Sequence, residues 1–143
     1  MKITFDSNLP CPPFTKAISI LTDGAKVCVD DIHYDPAKKT VEMYMQRKEI
    51  IGFKKALFGE MRPVYGQTWY RSLLIIRQVE EMNIKVDNKL VKDCGSCFTI
   101  LFGVNLDGNL LYLGSAEEIQ GDNLCEVQIK VKELSIEFSD QMR

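Results

Sequence analysis

The closing run of the chain, L-C-E-V-Q-I-K-V-K-E-L-S-I-E-F over residues 124–138, constrains the fold more than any other stretch. Apolar residues alternate at Cys125, Val127, Ile129 and Val131, then resume one residue out of step at Leu134, Ile136 and Phe138. A period of two means a strand with one buried face. A slip of one would turn the second half outward unless a bulge or bend absorbs the extra residue. The same phrase (Val, two charged residues, apolar, polar, apolar) occurs at Val29–Tyr34, Val79–Ile84 and Val131–Ile136. Three bent strands are expected there, in a fold rich in β-structure.

Composition allows this and narrows little else. A chain of 143 residues with 45% apolar and 27% charged residues is expected to be one globular domain, 1–143. No run reaches the roughly 18 apolar residues that span a bilayer, so no membrane partner is expected. The N-terminal M-K-I-T-F-D-S-N has no apolar core of a signal peptide, which gives a cytoplasmic expectation. Five cysteines cannot all pair within one chain, and reduced thiols follow from that odd count. The net charge of −2 is unevenly spread: residues 47–77 hold seven basic and two acidic groups, residues 105–143 three basic and eight acidic. Such segments either pair across strands or form faces of opposite sign.

Along the chain, residues 26–35 and 40–48 flank D-P-A-K-K and read as a hairpin. Residues 14–22 fit a helix and a strand equally. Residues 49–68 are the least patterned: Ile50, Ile51, Phe53, Leu57 and Phe58 lack clean periodicity and are punctuated by glycine and proline. This makes 47–71 an irregular insert, either functional or partly helical. Residues 69–82 carry both a helical stripe and β-branched residues ending in the recurring phrase, and the recurrence favours a strand. A hairpin is expected about Asp87-Asn88, and another, with the strongest turn signal in the chain, about Asp107-Gly108. Ser115 and Glu118 have the spacing of a capping box for a short helix ending at Gly121.

Few residues suggest chemistry. Cys94-x-x-Cys97 could supply two of the four ligands of a zinc ion, with Cys11, Cys28, Cys125 or His33 completing it, and is otherwise a plain turn. As a redox pair it lacks a helix N-terminus, because Cys97 runs directly into a strand pattern. His33 lies among acids but projects opposite Ile32 and Tyr34 on its strand, towards solvent. There is no P-loop, Gly-x-Gly-x-x-Gly, Gly-x-Ser-x-Gly or His-Glu-x-x-His. The insert is different: Lys54, Lys55, Arg62, Tyr65, Trp69, Tyr70 and Arg71 mix cations with aromatic rings.

The fold expected is all-β, an antiparallel sandwich or partly open barrel of seven to nine strands with one or two short helices. An α+β fold with 69–82 helical is the alternative. The function expected is non-catalytic: a binding or assembly module whose partner is a protein or a second copy, met through the insert. The alternatives are nucleic-acid binding through the same residues, which a pI near 5.5 disfavours, and metal binding at Cys94 and Cys97.

Overall fold

Alternation becomes strand almost everywhere the sequence shows it. The computed structural model describes residues 2–6, 18–86, 97–100, 103–115 and 125–141, and among these ten strands form. They are β1 (Lys2–Asp6), β2 (Lys26–Asp35), β3 (Thr40–Lys55), β4 (Met61–Ile76), β5 (Val79–Val86), β6 (Cys97–Thr99), β7 (Asn105–Asp107), β8 (Leu110–Ser115), β9 (Cys125–Val131) and β10 (Ser135–Asp140). Six make one sheet in the order β1-β10-β4-β3-β2-β6, and four make another in the order β5-β9-β8-β7. Every pairing is antiparallel. The fold is therefore all-β, with ten strands where seven to nine were expected. The surplus lies in three-residue strands, β6 and β7, too short to show a period.

The two sheets share a core. Val41, Met43, Met45, Leu74, Ile76, Ile136 and Phe138 of the larger sheet pack in one buried cluster with Leu111, Leu113, Val127, Ile129 and Val131 of the smaller. Register explains the selection, since Met43 lies opposite Leu74 and Phe138 opposite Leu74 on the other side. The face carrying these residues is called inner below, and the opposite face of the larger sheet outer.

The recurring phrase marks departures from regular pairing in all three places. Register shifts between Val27 and Ile32 on β2, and between Val79 and Glu81 on β5. At Val131–Leu134 the departure is larger, because β9 ends in one sheet and β10 begins in the other. The chain also changes sheet between Ile76 and Val79, where Gln78 adopts a positive φ of 58°. The two corners brace each other, as Lys132 N donates to Gln78 O at 2.9 Å and Arg77 N to Ser135 O at 2.9 Å. Residues 69–76 are strand, so the alternative with 69–82 helical does not occur. The strong turn at Asp107-Gly108 is present, with Asp107 opposite Leu110 and Gly108 at φ +60°.

Of the ambiguous segment 14–22, residues 18–22 form a helical turn, and 14–17 lie outside the described residues. It docks by polar contacts: Ser19 Oγ donates to Val104 O at 2.8 Å, and buried Thr22 Oγ1 accepts from Val104 N at 3.1 Å. Gly103, at φ +74°, lets the chain pass there, because a Cβ would stand 2.5 Å from the Ser19 backbone. The expected hairpin about Asp87-Asn88 and the short helix from Ser115 lie outside the described residues.

One expectation needs correcting. Residues 47–71 are not an irregular insert. They are the distal halves of β3 and β4, two 16-residue strands paired to each other as far as Lys55 and Met61. The pattern looked broken because register shifts twice, between Lys48 and Ile50 and between Ile50 and Gly52. Each bulge displaces the alternation by its extra residues and erases the period from the linear sequence.

Candidate functional site on the β3–β4 arm

Neighbouring strands cover only the proximal halves of β3 and β4. β2 pairs with β3 no further than Gln46, and β10 pairs with β4 no further than Ser72. Beyond these rungs no third strand joins the ribbon among the described residues. Its root is braced from the inner side: Tyr65, directly opposite Ile50, donates its hydroxyl to Ile20 O at 3.1 Å. Burial, and then the charge of Asp23, raise the Tyr65 hydroxyl above its usual pKa, so it remains a neutral donor there.

The arm ends in a tight turn. Gly59 N donates to Ala56 O at 3.0 Å and Ala56 N to Glu60 O at 2.6 Å, with Gly59 at φ +84°. This is a three-residue hairpin loop closed by a left-handed glycine. Its corners carry Leu57 and Phe58, which are 93% and 88% exposed. Turn corners ordinarily hold polar residues, and nothing in this geometry calls for leucine and phenylalanine. Ile51, Phe53 and Met61 are also more than half exposed. Five of the seven exposed large hydrophobic residues among those described thus lie on residues 51–61, and a sixth, Tyr70, stands at the root.

Register sorts the arm into two faces. Phe53 pairs with Pro63 and Lys55 with Met61, while Gly52 pairs with Val64 and Lys54 with Arg62 on the opposite face. Phe53 lines a cleft of about 430 Å³ together with Leu21, Arg47, Ile50, Tyr70 and Asp140, which sets it on the inner side. Lys54 and Arg62 therefore project from the outer face, the face that carries Lys48 and Trp69 further down. The ribbon is apolar at its apex, mostly apolar on its inner face, where Lys55 is the exception, and cationic on its outer face at Lys54 and Arg62.

The residues singled out in the sequence fall into separate places. Lys54, Lys55 and Arg62 stand at the tip, with no ion pair among the described residues. Tyr65 serves as a brace rather than a contact surface. Trp69 is half-buried on the outer face, with Lys26 Nζ at 4.9 Å and Lys48 Nζ at 5.5 Å from its ring centroid. Arg71 lies over the Tyr44 ring at 4.7 Å. Tyr70, on the inner face, takes the Arg47 guanidinium at 5.2 Å. The sequence reading passed over Leu57, Phe58, Phe53 and Met61 as contact residues. The usable signal was an apolar pair directly before Gly59, between Lys54-Lys55 and Arg62.

The opposite charges of the two segments meet partly inside the molecule. Arg47 is buried and grips Asp140 with two hydrogen bonds, Nε to Oδ1 at 2.9 Å and Nη2 to Oδ2 at 2.7 Å. Ser72 Oγ donates to the same carboxylate at 2.6 Å. Partial burial pushes the Asp140 carboxyl up, but the hydrogen bonds from Arg47 and Ser72 and the charge of Arg47 together hold it below the usual range. Arg77 and Glu137 form a second, more exposed pair at 3.7 Å.

The cysteines also behave differently from expectation. Cys28 and Cys97 occupy opposite positions on β2 and β6 and are joined by a disulfide. Cys97 is thus not a free thiolate for a metal, and Cys94 lies outside the described residues. Among the described residues no three His, Cys, Asp or Glu side chains converge as metal ligands. His33 is exposed, opposite Glu42, as its strand position implied. No helix among the described residues is long and apolar enough to cross a membrane. Comparison of the chain with protein-family models, curated proteins and solved structures finds no match.

Proposed function

We propose that this protein is a non-catalytic binding or assembly module that acts through the apex and inner face of the β3–β4 arm. Its partner is a protein, in the first instance a second copy of the chain. The observation that carries the reading is the near-complete exposure of Leu57 and Phe58 at the turn. Covering a leucine or phenylalanine side chain is worth about 1.5–3 kcal/mol, and the arm leaves that gain unrealised until something meets it. Outside the arm and its root, Tyr112 is the one exposed large hydrophobic among the described residues. Two copies would therefore associate arm to arm, with Phe53 and Met61 flanking the joined apices. The Cys28–Cys97 bond weighs against the cytoplasmic expectation, since such bonds persist mainly in oxidising surroundings.

Sedimentation at increasing concentration tests this. The parent is expected to associate, and Leu57→Ser with Phe58→Ser to remain monomeric with an unchanged melting temperature. A parent that stays monomeric at high concentration removes the second copy as partner. Association that survives the double substitution removes the apex as the contact.

A further inference from the structure

The outer face of the ribbon holds a second arrangement, independent of the apex, which the linear sequence does not assemble. Lys26 on β2, Gln46 and Lys48 on β3, and Trp69 and Arg71 on β4 are neighbours there, since Lys26 lies opposite Gln46, Gln46 opposite Arg71, and Lys48 opposite Trp69. Tyr44 lies beneath Arg71, and beside it opens a groove of about 330 Å³ lined by Lys26, Tyr44, Gln46, Arg71, Asp31 and the Cys28–Cys97 bond. Further out on the same face stand Lys54 and Arg62, directly opposite each other. Like charges facing across a ribbon destabilise it, and no acid among the described residues pairs with either.

From the Gln46–Arg71 rung to the Lys54–Arg62 rung is eight residue steps along β3, about 26 Å at strand rise. Five cations line that distance around Trp69, with the Tyr44 ring just proximal to it beneath Arg71. We infer that this outer face is a binding track for single-stranded nucleic acid, about four nucleotides long, the low end of the range for sheet-based binders. The lysine–ring contacts do not oppose this. An exposed cation–π contact is worth about 0.5–1 kcal/mol, whereas a base stacked on an aromatic side chain contributes about 1–3 kcal/mol. A base can therefore displace Lys26 or Lys48 from Trp69, and the freed ammonium groups then reach the flanking phosphates. A duplex offers no unstacked base to the rings, and an acidic peptide offers charge without stacking. The acidic balance of the whole chain is also not prohibitive. Much of the track stands on the projecting arm, and at physiological salt charge is screened over about 8 Å.

Trp69 is the only tryptophan in the chain, so its fluorescence reports the track directly. The experiment titrates the intact protein with a twenty-residue oligothymidylate at several salt concentrations. It compares the parent, Lys48→Glu with Arg71→Glu, and a control, Lys85→Glu, on the exposed face of β5. The expected result is quenching of Trp69 on binding, with affinity falling with salt at a log–log slope of about 3. The double variant should bind at least about tenfold more weakly with a visibly shallower slope, while melting like the parent, and the control should bind as the parent does. Absence of binding at low salt overturns the inference. So does binding without quenching, equal binding of a duplex or of polyglutamate, or a double variant that binds like the parent.

Discussion

β3 and β4 carry two contrasting halves on the same pair of strands. In the proximal half, Val41, Met43, Met45, Leu74 and Ile76 are buried against the second sheet. In the distal half, Phe53 and Met61 continue the ladder into solvent with Ile51 bulged out of it, and Leu57 and Phe58 close it. Both halves are paired strand with strand, so hydrogen bonding does not distinguish them. What differs is cover: the proximal half lies between β2 and β10 and under the four-stranded sheet, and the distal half has none of these. A two-stranded ribbon by itself is marginal in water. The proximal residues are explained by folding, whereas the distal apolar residues stay more than half exposed, and the proposed contact would give them cover.

The largest effect should come from the proximal half and its neighbours. Phe138→Ala removes a fully buried ring that packs beside Leu74, and urea unfolding should show a loss of about 3–5 kcal/mol. Phe58→Ala, the same chemical change in the distal half, should stay within about 0.5 kcal/mol of the parent. Comparable losses at the two sites would dissolve the contrast.

The junction between the halves should give the next effect. Asp140→Ala leaves the Arg47 guanidinium buried without its carboxylate. The expected cost is on the order of 2–3 kcal/mol, below the figure for a wholly buried pair because Asp140 keeps some contact with water. The same pair sets a pH dependence. The Asp140 carboxyl is held low in the folded state, so its stabilisation is complete above the unfolded value of about 3.9. It is lost as pH falls through the lower folded value. Melting temperatures between pH 5 and pH 2 should fall more steeply for the parent than for Asp140→Asn, and parallel curves would remove Asp140 as the cause.

A smaller effect is expected at the brace. Tyr65→Phe deletes the hydroxyl that holds the arm's root to Ile20 O, at a cost of about 1 kcal/mol. Amide exchange should quicken around 50–52 and 63–66 and not in β9. Quickening throughout both sheets would mean that the arm's root belongs to the global folding unit.

Legibility in the sequence follows the same division. β8, β9 and β10 were readable because one face of each is buried and period two survives along them. The recurring phrase correctly marked places where pairing breaks, because a one-residue slip between buried faces must be absorbed somewhere. It could not show that the third copy, at Val131–Leu134, is a change of sheet, since bulge and corner have the same local pattern. The arm was misread because its bulges at Ile51 and 66–68 erase the period, and because exposed apolar residues look like core in one dimension. The cation–aromatic residues singled out in the sequence are grouped differently in the fold: Tyr65 turns inward, and Lys26 and Tyr44 join Trp69 and Arg71 only through strand order. The Cys28–Cys97 pair was hidden for the same reason, as 69 residues separate the two.

The division between a self-sufficient body and a contact arm can be tested by removing the arm. Ile50 and Tyr65 face each other on the ladder, so residues 51–64 can be replaced by Asn-Gly, which favours a two-residue hairpin turn. The shortened protein should keep the parent's melting temperature within about 3 °C, the scale expected for a change below 1 kcal/mol in a domain of this size, while losing concentration-dependent association. A shortened protein that fails to fold, or that folds and still associates as the parent does, would contradict the assignment of the arm as the contact element.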